Sequence, residues 1–334
     1  MSLYISSFIT GFQSIVKKSL PSRLKGVNIK QIFDGIVLFE YGGNWKDIIT
    51  IPYLNNSFLV TKVFKGNLNF NNMIHQIVKM KSFNSINMRT FRVRFSKENQ
   101  FVGVDKKNAN LIEQYLKANT KMRLDKLNPN TEFWFIIRRE NIGFFAQLLQ
   151  KRKSTEKNLN QGELRPEFAF LMCESADISK NMNISDPFAG FGAIPKQLVS
   201  NFKFKNLFVS DLDKNKINIL KNNNQLKNNG KVTIFVDDAL KLEQLKNESI
   251  DAFITDPPWG YYEHLENIEE FYKQMLRTFN TKLSKNGEIV ILSARKDELN
   301  NAIKQENFII NKKIDTLVNG KKTSVFILQR KQEN

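Results

Sequence analysis

Apolar residues recur at two spacings along this chain, every second position and every third or fourth. The changes from one spacing to the other mark its elements. From Met1 to about Lys65 the pattern predicts a strand at LYISSF (3–8) and a helix at GFQSIVKKSL (11–20). VNIKQIFDGIVLFEY (27–41) predicts one or two strands about an Asp34-Gly35 turn. WKDIITIPYLNNSFLVTKVF (45–64) predicts mostly helix, interrupted by Pro52 and running into a strand. From Gly66 to Gln150, FNNMIHQIVKM (70–80) carries Met73, Ile74, Ile77 and Met80 at helical spacing. TFRVRFS (90–96) alternates, with Phe91, Val93 and Phe95 on one face and Arg92 and Arg94 on the other. NANLIEQYLKANT (108–120) predicts an amphipathic helix, and the stretch 122–149 closes with two strands.

A basic segment, LLQKRKSTEKNLNQGELRP (148–166), joins this half to the next. Pro166 fits the first turn of a helix over PEFAFLMCESADI (166–178), where a missing N–H costs nothing. From Asn183 onward, strands and helices alternate, which argues a parallel sheet with crossover helices. The predicted strands are NISDPF, NLFVSD, VTIFVD, IDAFITD and GEIVILSA. The predicted helices are IPKQLVSNF, KNKINILKNNNQLKN, LEQLKNE (242–248), LENIEEFYKQMLRTFNTKL and DELNNAIKQ. FIINKKIDTLV and TSVFILQR flank Asn319-Gly320, a hairpin signal.

Two stretches carry candidate chemistry. SDPFAGFGAI (185–194) leads a strand through Gly190 and Gly192 into a helix N-terminus, the construction of a cofactor cradle. ITDPPWG (254–260) ends another strand, and its two prolines make a stiff, non-helical ledge between a carboxylate and an indole. Ligands of open parallel sheets sit beyond the carboxyl ends of strands, so both belong on one rim. Asp211 ends the second strand, about 20 residues past the glycine turn, where an acid can accept ribose hydroxyls. Asp213 competes for that role but suits a helix cap better.

Composition narrows the class. The 334 residues hold 51 Lys and Arg against 33 Asp and Glu, a net charge of +18. That balance attracts polyanions. Abundant Lys, Asn, Ile and Phe also match the codon usage of an AT-rich genome, which accounts for part of the excess. Arg92, Arg94, Arg138 and Arg139 read either as a solvated strand face or as a phosphate-contacting one. Lys151, Arg152, Lys153 and Lys157 cluster in the segment that joins the halves. Phe133, Trp134 and Phe135 read as core. The single cysteine, Cys173, excludes an internal disulfide and reads as a small buried hydrophobe. With only His75 and His264 beside it, no zinc cluster can be assembled, and no metal is expected. His264 reads as a surface or helix-start residue, with proton acceptor as the competing role. No apolar run approaches the ~20 residues of a membrane span. The N-terminus does not read as a signal peptide. A reducing cytoplasm and no membrane partner are the expectations.

DPFAGFG followed by DPPWG resembles the cofactor and catalytic loops of S-adenosylmethionine-dependent methyltransferases that modify exocyclic amines. Asn158 to Met172 is similar to the segment before the cofactor loop in THUMP-domain RNA guanine-N2 methyltransferases. The 122–149 stretch, with its LNP turn, resembles the C-terminal half of a THUMP domain more loosely. The resemblance implies an α/β fold, a Rossmann-like seven-stranded sheet ending in a hairpin, preceded by an α+β region of a ferredoxin-like unit plus a THUMP-like domain. The implied divisions are 1–65, 66–150, a linker at 151–165, and a methyltransferase domain at 166–334. S-adenosyl-L-methionine is the implied cofactor, held by Asp186, Phe188, Gly190, Gly192, Asp211, Asp238 and Ala239. Asp186 would lie near the methionine amino group and Asp238 near the adenine amine, with Asp237 as its alternative. Asp256, Pro257, Pro258 and Trp259 would carry catalysis. The Asp256 carboxylate and Pro257 carbonyl would accept the hydrogens of a guanine amine, and Trp259 would stack on the base. The implied partner is tRNA or another structured RNA, contacted by residues including Arg92, Arg94, Lys151, Arg152 and Lys153, and the chain is expected to be a monomer. Ribosomal RNA guanine, N6-adenine methylation, and an RNA-binding protein with an inactive methyltransferase domain are the competing readings.

Overall fold

The structure is a computed structural model and describes residues 1–151, 159–260 and 267–331. Its chain order begins β1 (Ser2–Ser7), α1 (Gln13–Arg23), β2 (Asn28–Phe33), β3 (Ile36–Tyr41), α2 (Trp45–Ile48), β4 (Asn56–Lys65), α3 (Phe70–Val78), β5 (Thr90–Lys97), β6 (Gln100–Phe101), α4 (Lys106–Asn119), β7 (Arg123–Leu124), β8 (Thr131–Ile137) and β9 (Ile142–Lys151). It continues with α5 (Pro166–Ser175), β10 (Asn183–Asp186), α6 (Ala193–Asn201), β11 (Asn206–Asp211), α7 (Lys214–Lys221), α8 (Asn224–Lys227), β12 (Val232–Val236), β13 (Ile250–Thr255), α9 (Ile268–Lys282), β14 (Leu283–Ser293), α10 (Lys296–Gln305), β15 (Phe308–Val318) and β16 (Lys321–Arg330).

Two compact units divide the described residues. The first takes 1–8 and 20–151; the second takes 9–19 and the described residues from 159 onward. In the first unit one sheet runs β2-β3-β1-β4-β9-β8-β5-β6, with β7 beside β5. All neighbours are antiparallel except β5 with β8 and with β7. The anticipated boundary near Lys65 falls at the end of β4, which pairs along its length with β9. Alternation sorts the side chains of β8 to opposite faces. Phe133 and Phe135 pack with Phe91, Phe145 and the helical Met73, Ile77, Ile112 and Leu116. Ile136 packs with Ile5, Phe58 and Phe144 on the other face. Asn69 and Asp105 cap α3 and α4, accepting from the amides of Asn72 and Asn108 at 2.8 and 2.9 Å.

One stretch here departs from its expected structure. Residues 45–64 were expected to be mostly helical, but α2 has four residues and β4 begins at Asn56. Pro52 interrupts any continuing helix, and the β-branched Val60, Thr61 and Val63 favour a strand. The apolar residues between them, Ile51, Tyr53 and Leu54, are buried as an irregular segment.

The second unit contains a seven-stranded sheet in the order β12-β11-β10-β13-β14-β16-β15. The first five are parallel; β16 runs antiparallel to both neighbours. Asn319 and Gly320, at φ 50° and 78°, turn the terminal hairpin. Pro166 opens α5 at its first turn, and Phe168 to Cys173 are buried, Cys173 among them. Phe12 meets Phe168 edge-on at 5.5 Å and Thr316 donates to the Thr10 carbonyl at 2.8 Å, so residues 9–19 belong to this unit. Residues 242–248 form no helix, contrary to their spacing. Leu242 and Glu248 adopt left-handed backbone, at φ 48° and 54°, while Leu242 and Leu245 are buried against α9 and β14. Burial from a turn produces the same apolar spacing as a short helix. No helix among the described residues is long and apolar enough to cross a membrane.

Strand order reverses between β10 and β13, since β11 and β12 lie to one side and β14 to the other. The crevice at such a switch point is where open α/β sheets bind ligands. Both motifs leave the sheet there.

Candidate active site

The site is built from residues at and just beyond the carboxyl ends of four parallel strands. Asp186 ends β10 and is 1% exposed. Its Oδ1 accepts the Thr255 hydroxyl at 2.7 Å and the Phe188 amide at 3.4 Å. Burial pushes its carboxyl up to about 7; those two bonds oppose the shift, and the nearby Asp211 charge adds to it. Thr255, the last residue of β13, was not singled out by motif. Its one sequence cue is its place beside Asp256.

The glycine turn connects β10 to α6. Gly190 (φ 52°) donates its amide to Asp211 Oδ2 at 2.8 Å, so the acid ending β11 holds the turn in shape. A Cβ on Gly190 would meet nothing nearer than the Phe188 carbonyl at 4.0 Å, so the backbone is open to an approaching molecule. Gly192 (φ 83°) is required for a different reason. A Cβ there would lie 2.5 Å from Leu220 Cδ2 of α7. Pro195 falls in the first turn of α6, as its ring demands. Phe188 is half-buried, its ring 5.9 Å from Phe271 of α9, so it packs under the turn.

Asp213 caps α7, accepting the Asn215 amide at 2.8 Å, and Asp211 Oδ1 accepts the Asp213 amide at 3.0 Å. Beyond β12, Asp237 is buried and accepts from the amides of Asp238 (2.9 Å) and Gln244 (3.3 Å). Asp238 is half-buried; its Oδ1 accepts the Leu240 amide at 2.9 Å. Asp237 is therefore committed to shaping the turn, and Asp238 is the acid with the greater freedom. Ala239 beside it is buried.

Asp256 follows β13 directly, with its Oδ1 buried. Burial raises its carboxyl well above the ordinary range, and the Asp186 charge raises it further; the polar edge of the neighbouring Trp259 pulls the other way. The loop after it is held by groups that no motif singled out. Tyr272 of α9 donates to the Pro258 carbonyl at 3.2 Å, and Arg295 Nε donates to the Trp259 carbonyl at 3.0 Å. His264 lies outside the described residues.

In the first unit, Arg92 is engaged internally. Its Nε donates to Glu132 Oε1 at 2.7 Å, Nη2 pairs with the same oxygen, and Nη1 reaches the Lys126 carbonyl at 3.3 Å. Arg94 lies over the Phe101 ring at 4.9 Å with Nε 3.9 Å from Glu132. Arg138 pairs with Glu140 and Arg139 with Glu98, each at 3.0 Å. The Lys151 side chain, Arg152, Lys153 and Lys157 lie outside the described residues. An open basin of about 620 Å³, marked by no motif, is lined by Arg89, Arg123, Asp125, Lys126, Leu127 and Asn128. Leu127 at its rim is 84% exposed. Lys126 pairs with Glu113 at 2.9 Å, whereas Arg89 and Arg123 are exposed with no acidic partner among the described residues. Among the described residues, no group of three or more His, Cys, Asp and Glu could hold a metal ion.

Solved structures share this fold over nearly the whole chain. TrmN from Thermus thermophilus superposes with a TM-score of 0.79 at 17% identity, covering 99% of this chain and 100% of its own. A possible methylase from Clostridium difficile 630 gives 0.74 at 13% identity, covering 100% and 99%. SMU.472, a putative methyltransferase complexed with SAH, gives 0.71 at 12% identity, covering 100% and 99%. No curated protein matches the sequence. The RMKL-like methyltransferase domain (UPF0020) matches residues 152–325, more than half of the chain, and the protein belongs to that family.

Proposed function

We propose that the protein transfers a methyl group from S-adenosylmethionine to the exocyclic N2 amine of a guanosine in tRNA. The observation that carries this reading is the Asp256 carboxylate, its Oδ1 buried, on a braced proline ledge near the acid of the glycine turn. The cofactor is S-adenosylmethionine, and the rim suits it chemically. The donor molecule carries an ammonium, two ribose hydroxyls and an adenine amine, all hydrogen-bond donors. The rim offers carboxylates at or just past three strand ends, Asp186, Asp211 and Asp238, beside an open glycine backbone. Asp186 would hold the ammonium, Asp211 the ribose, and Asp238 with Ala239 the adenine edge, while Gly190 lets the backbone approach.

When bound, S-adenosylmethionine supplies a methyl group made electrophilic by its sulfonium. The chain must supply the nucleophile's geometry. A guanine amine is a weak nucleophile because its lone pair is delocalised into the ring. Asp256 and the Pro257 carbonyl would accept its two hydrogens, letting the nitrogen pyramidalise toward the methyl group. Trp259 would stack on the base and fix it in line, and alignment supplies much of the remaining acceleration. The base must leave any stack to reach this ledge.

The first unit would hold the RNA, its 1–65 and 66–150 parts acting together, and the monomer would work in the cytoplasm. Arg89 and Arg123 suit phosphate contact better than Arg92, whose charge Glu132 already neutralises. Replacing both Arg89 and Arg123 with alanine is expected to weaken RNA binding about tenfold and to lower the salt slope by about one per arginine. Arg92→Ala instead removes two donors from the buried Glu132, which keeps Trp134 Nε1 at 2.7 Å, and is expected to cost about 2 kcal/mol of stability with little change in that slope. Filter binding across a salt series, with thermal melts, separates these outcomes.

Donor titration calorimetry assigns the ribose contact. Asp211→Ala should weaken donor affinity at least tenfold, because it removes the acceptor and unties Gly190 together. Asp213→Ala should cost about 1 kcal/mol of stability through the lost cap and leave affinity unchanged. The reaction itself is tested by incubating the protein with labelled donor and unmodified tRNA, then digesting to nucleosides. N2-methylguanosine supports the proposal; N6-methyladenosine, or label only in ribosomal RNA, replaces it with a different acceptor.

A further inference from the structure

We propose that Tyr272 and Arg295 are positioning residues that hold the Asp256–Gly260 loop in its working shape. The inference rests on the reading that this loop presents the acceptor amine. Tyr272 is fully buried among the apolar side chains between α9 and the sheet, yet its hydroxyl makes two hydrogen bonds. One goes to the Pro258 carbonyl at 3.2 Å and one joins the Ser293 hydroxyl at 3.0 Å. A phenol has one proton. Because the carbonyl can only accept, Tyr272 donates to it and must accept from Ser293. The Ser293 hydroxyl in turn accepts the Arg295 amide at 2.9 Å. A one-way chain of donors thus runs from the end of β14 through Ser293 and Tyr272 into the loop. Each bond polarises the next.

Arg295 closes the ring from the same corner. Its Nε holds the Trp259 carbonyl at 3.0 Å, and Nη1 lies 3.6 Å from Glu298 at the start of α10. Two successive carbonyls of the ledge are therefore fixed, one from α9 and one from the end of β14. The Pro257 carbonyl accepts no hydrogen bond among the described residues. Proline rings set φ at Pro257 and Pro258, but ψ at Pro258 and both dihedrals at Trp259 have no such lock. The clamp supplies it. A small displacement of a reacting group costs a large part of the rate, so these contacts are expected to act on turnover and not on donor binding.

Tyr272→Phe keeps the ring's packing and deletes one hydroxyl. With the full chain and unmodified tRNA, the expected result is a tenfold or greater fall in kcat, with KM for donor and RNA within twofold of wild type. Arg295→Met should behave alike, and Arg295→Lys, which can still donate, should recover part of the loss. A second readout does not need activity. Labelling with 5-fluorotryptophan gives three fluorine signals, for Trp45, Trp134 and Trp259. Tyr272→Phe and Arg295→Met should shift and broaden the Trp259 line and leave the other two unchanged. Wild-type kcat together with an unmoved Trp259 line in both variants overturns the proposal. If Tyr272→Phe fails to fold, Arg295→Met and Arg295→Lys decide it. If the wild-type protein methylates no RNA, the functional reading fails while the Trp259 line still tests the clamp.

Discussion

Asp256→Ala is expected to reduce methyl transfer at least a thousandfold while donor affinity stays within threefold of wild type. A thousandfold is about 4 kcal/mol of transition-state stabilisation, a size reached by removing a group that acts only as the reaction proceeds. Asp256 fits that description. Holding an ionised carboxylate where burial and the Asp186 charge both oppose it costs free energy in the resting protein. The cost is recovered when the amine's hydrogens become acidic on attack. Asp256→Asn should also be nearly inactive, since an amide offers one neutral acceptor oxygen in place of a charged pair. Both variants should melt higher than wild type at pH 8, because each removes a carboxylate whose raised pKa makes its ionised form unfavourable. In the proposed mechanism the ionised form is the working one, so wild-type kcat should climb with pH above the ordinary carboxylate range. Single-turnover assays with calorimetry of donor binding check the split. More than a tenth of wild-type rate in Asp256→Ala would remove this residue from the reaction.

The parts of the site legible beforehand were those written in consecutive residues. Gly190 and Gly192 announce themselves as a pair that keeps side chains off a strand-to-helix turn, and Pro257-Pro258 because no helix or central strand can contain them. Asp186, Asp211 and Asp256 each follow an apolar run in a strand–helix alternation, which places them at carboxyl ends of parallel strands and so on one rim. Tyr272 was hidden for the opposite reason. It sits on the apolar face of α9 at a spacing that any core residue would satisfy, and nothing local shows that its hydroxyl finds Pro258, 14 residues back. Arg295 belongs to a different element from the loop it braces. Arg92 misled through alternation. A polar residue opposite Phe91 and Phe95 looks solvated, but Glu132 lies directly across the β5–β8 pairing to receive it. The failed helix at 242–248 has the same origin, since Leu242 and Leu245 are placed by the core they fill and not by each other.

Asp186→Asn should separate stability from donor binding. An ordinary Asp ionises near 3.9 in an unfolded chain, and burial holds Asp186 at about 7 in the folded, donor-free protein. Between those two values the folded state binds the extra proton. Stability from this group is therefore complete below about 4 and is lost as pH rises toward 7, levelling beyond it. At about 1.4 kcal/mol per pH unit the loss reaches a few kcal/mol. Asparagine has no proton to lose, so the donor-free variant should be the more stable protein at pH 8 and should lack this slope. Binding should move the other way. A cationic amine brought to Asp186 stabilises its ionised form, so the wild type should release a proton on binding donor near neutral pH and bind more tightly as pH rises to about 7. Asp186→Asn keeps an acceptor for Thr255 but loses the charge, and its donor affinity should fall at least a hundredfold and lose its pH dependence. Calorimetry in buffers of different ionisation enthalpy counts the proton directly. Tight, proton-neutral binding in the wild type would mean that Asp186 is a structural acid bonded to Thr255, and that the donor's ammonium is held elsewhere on the rim.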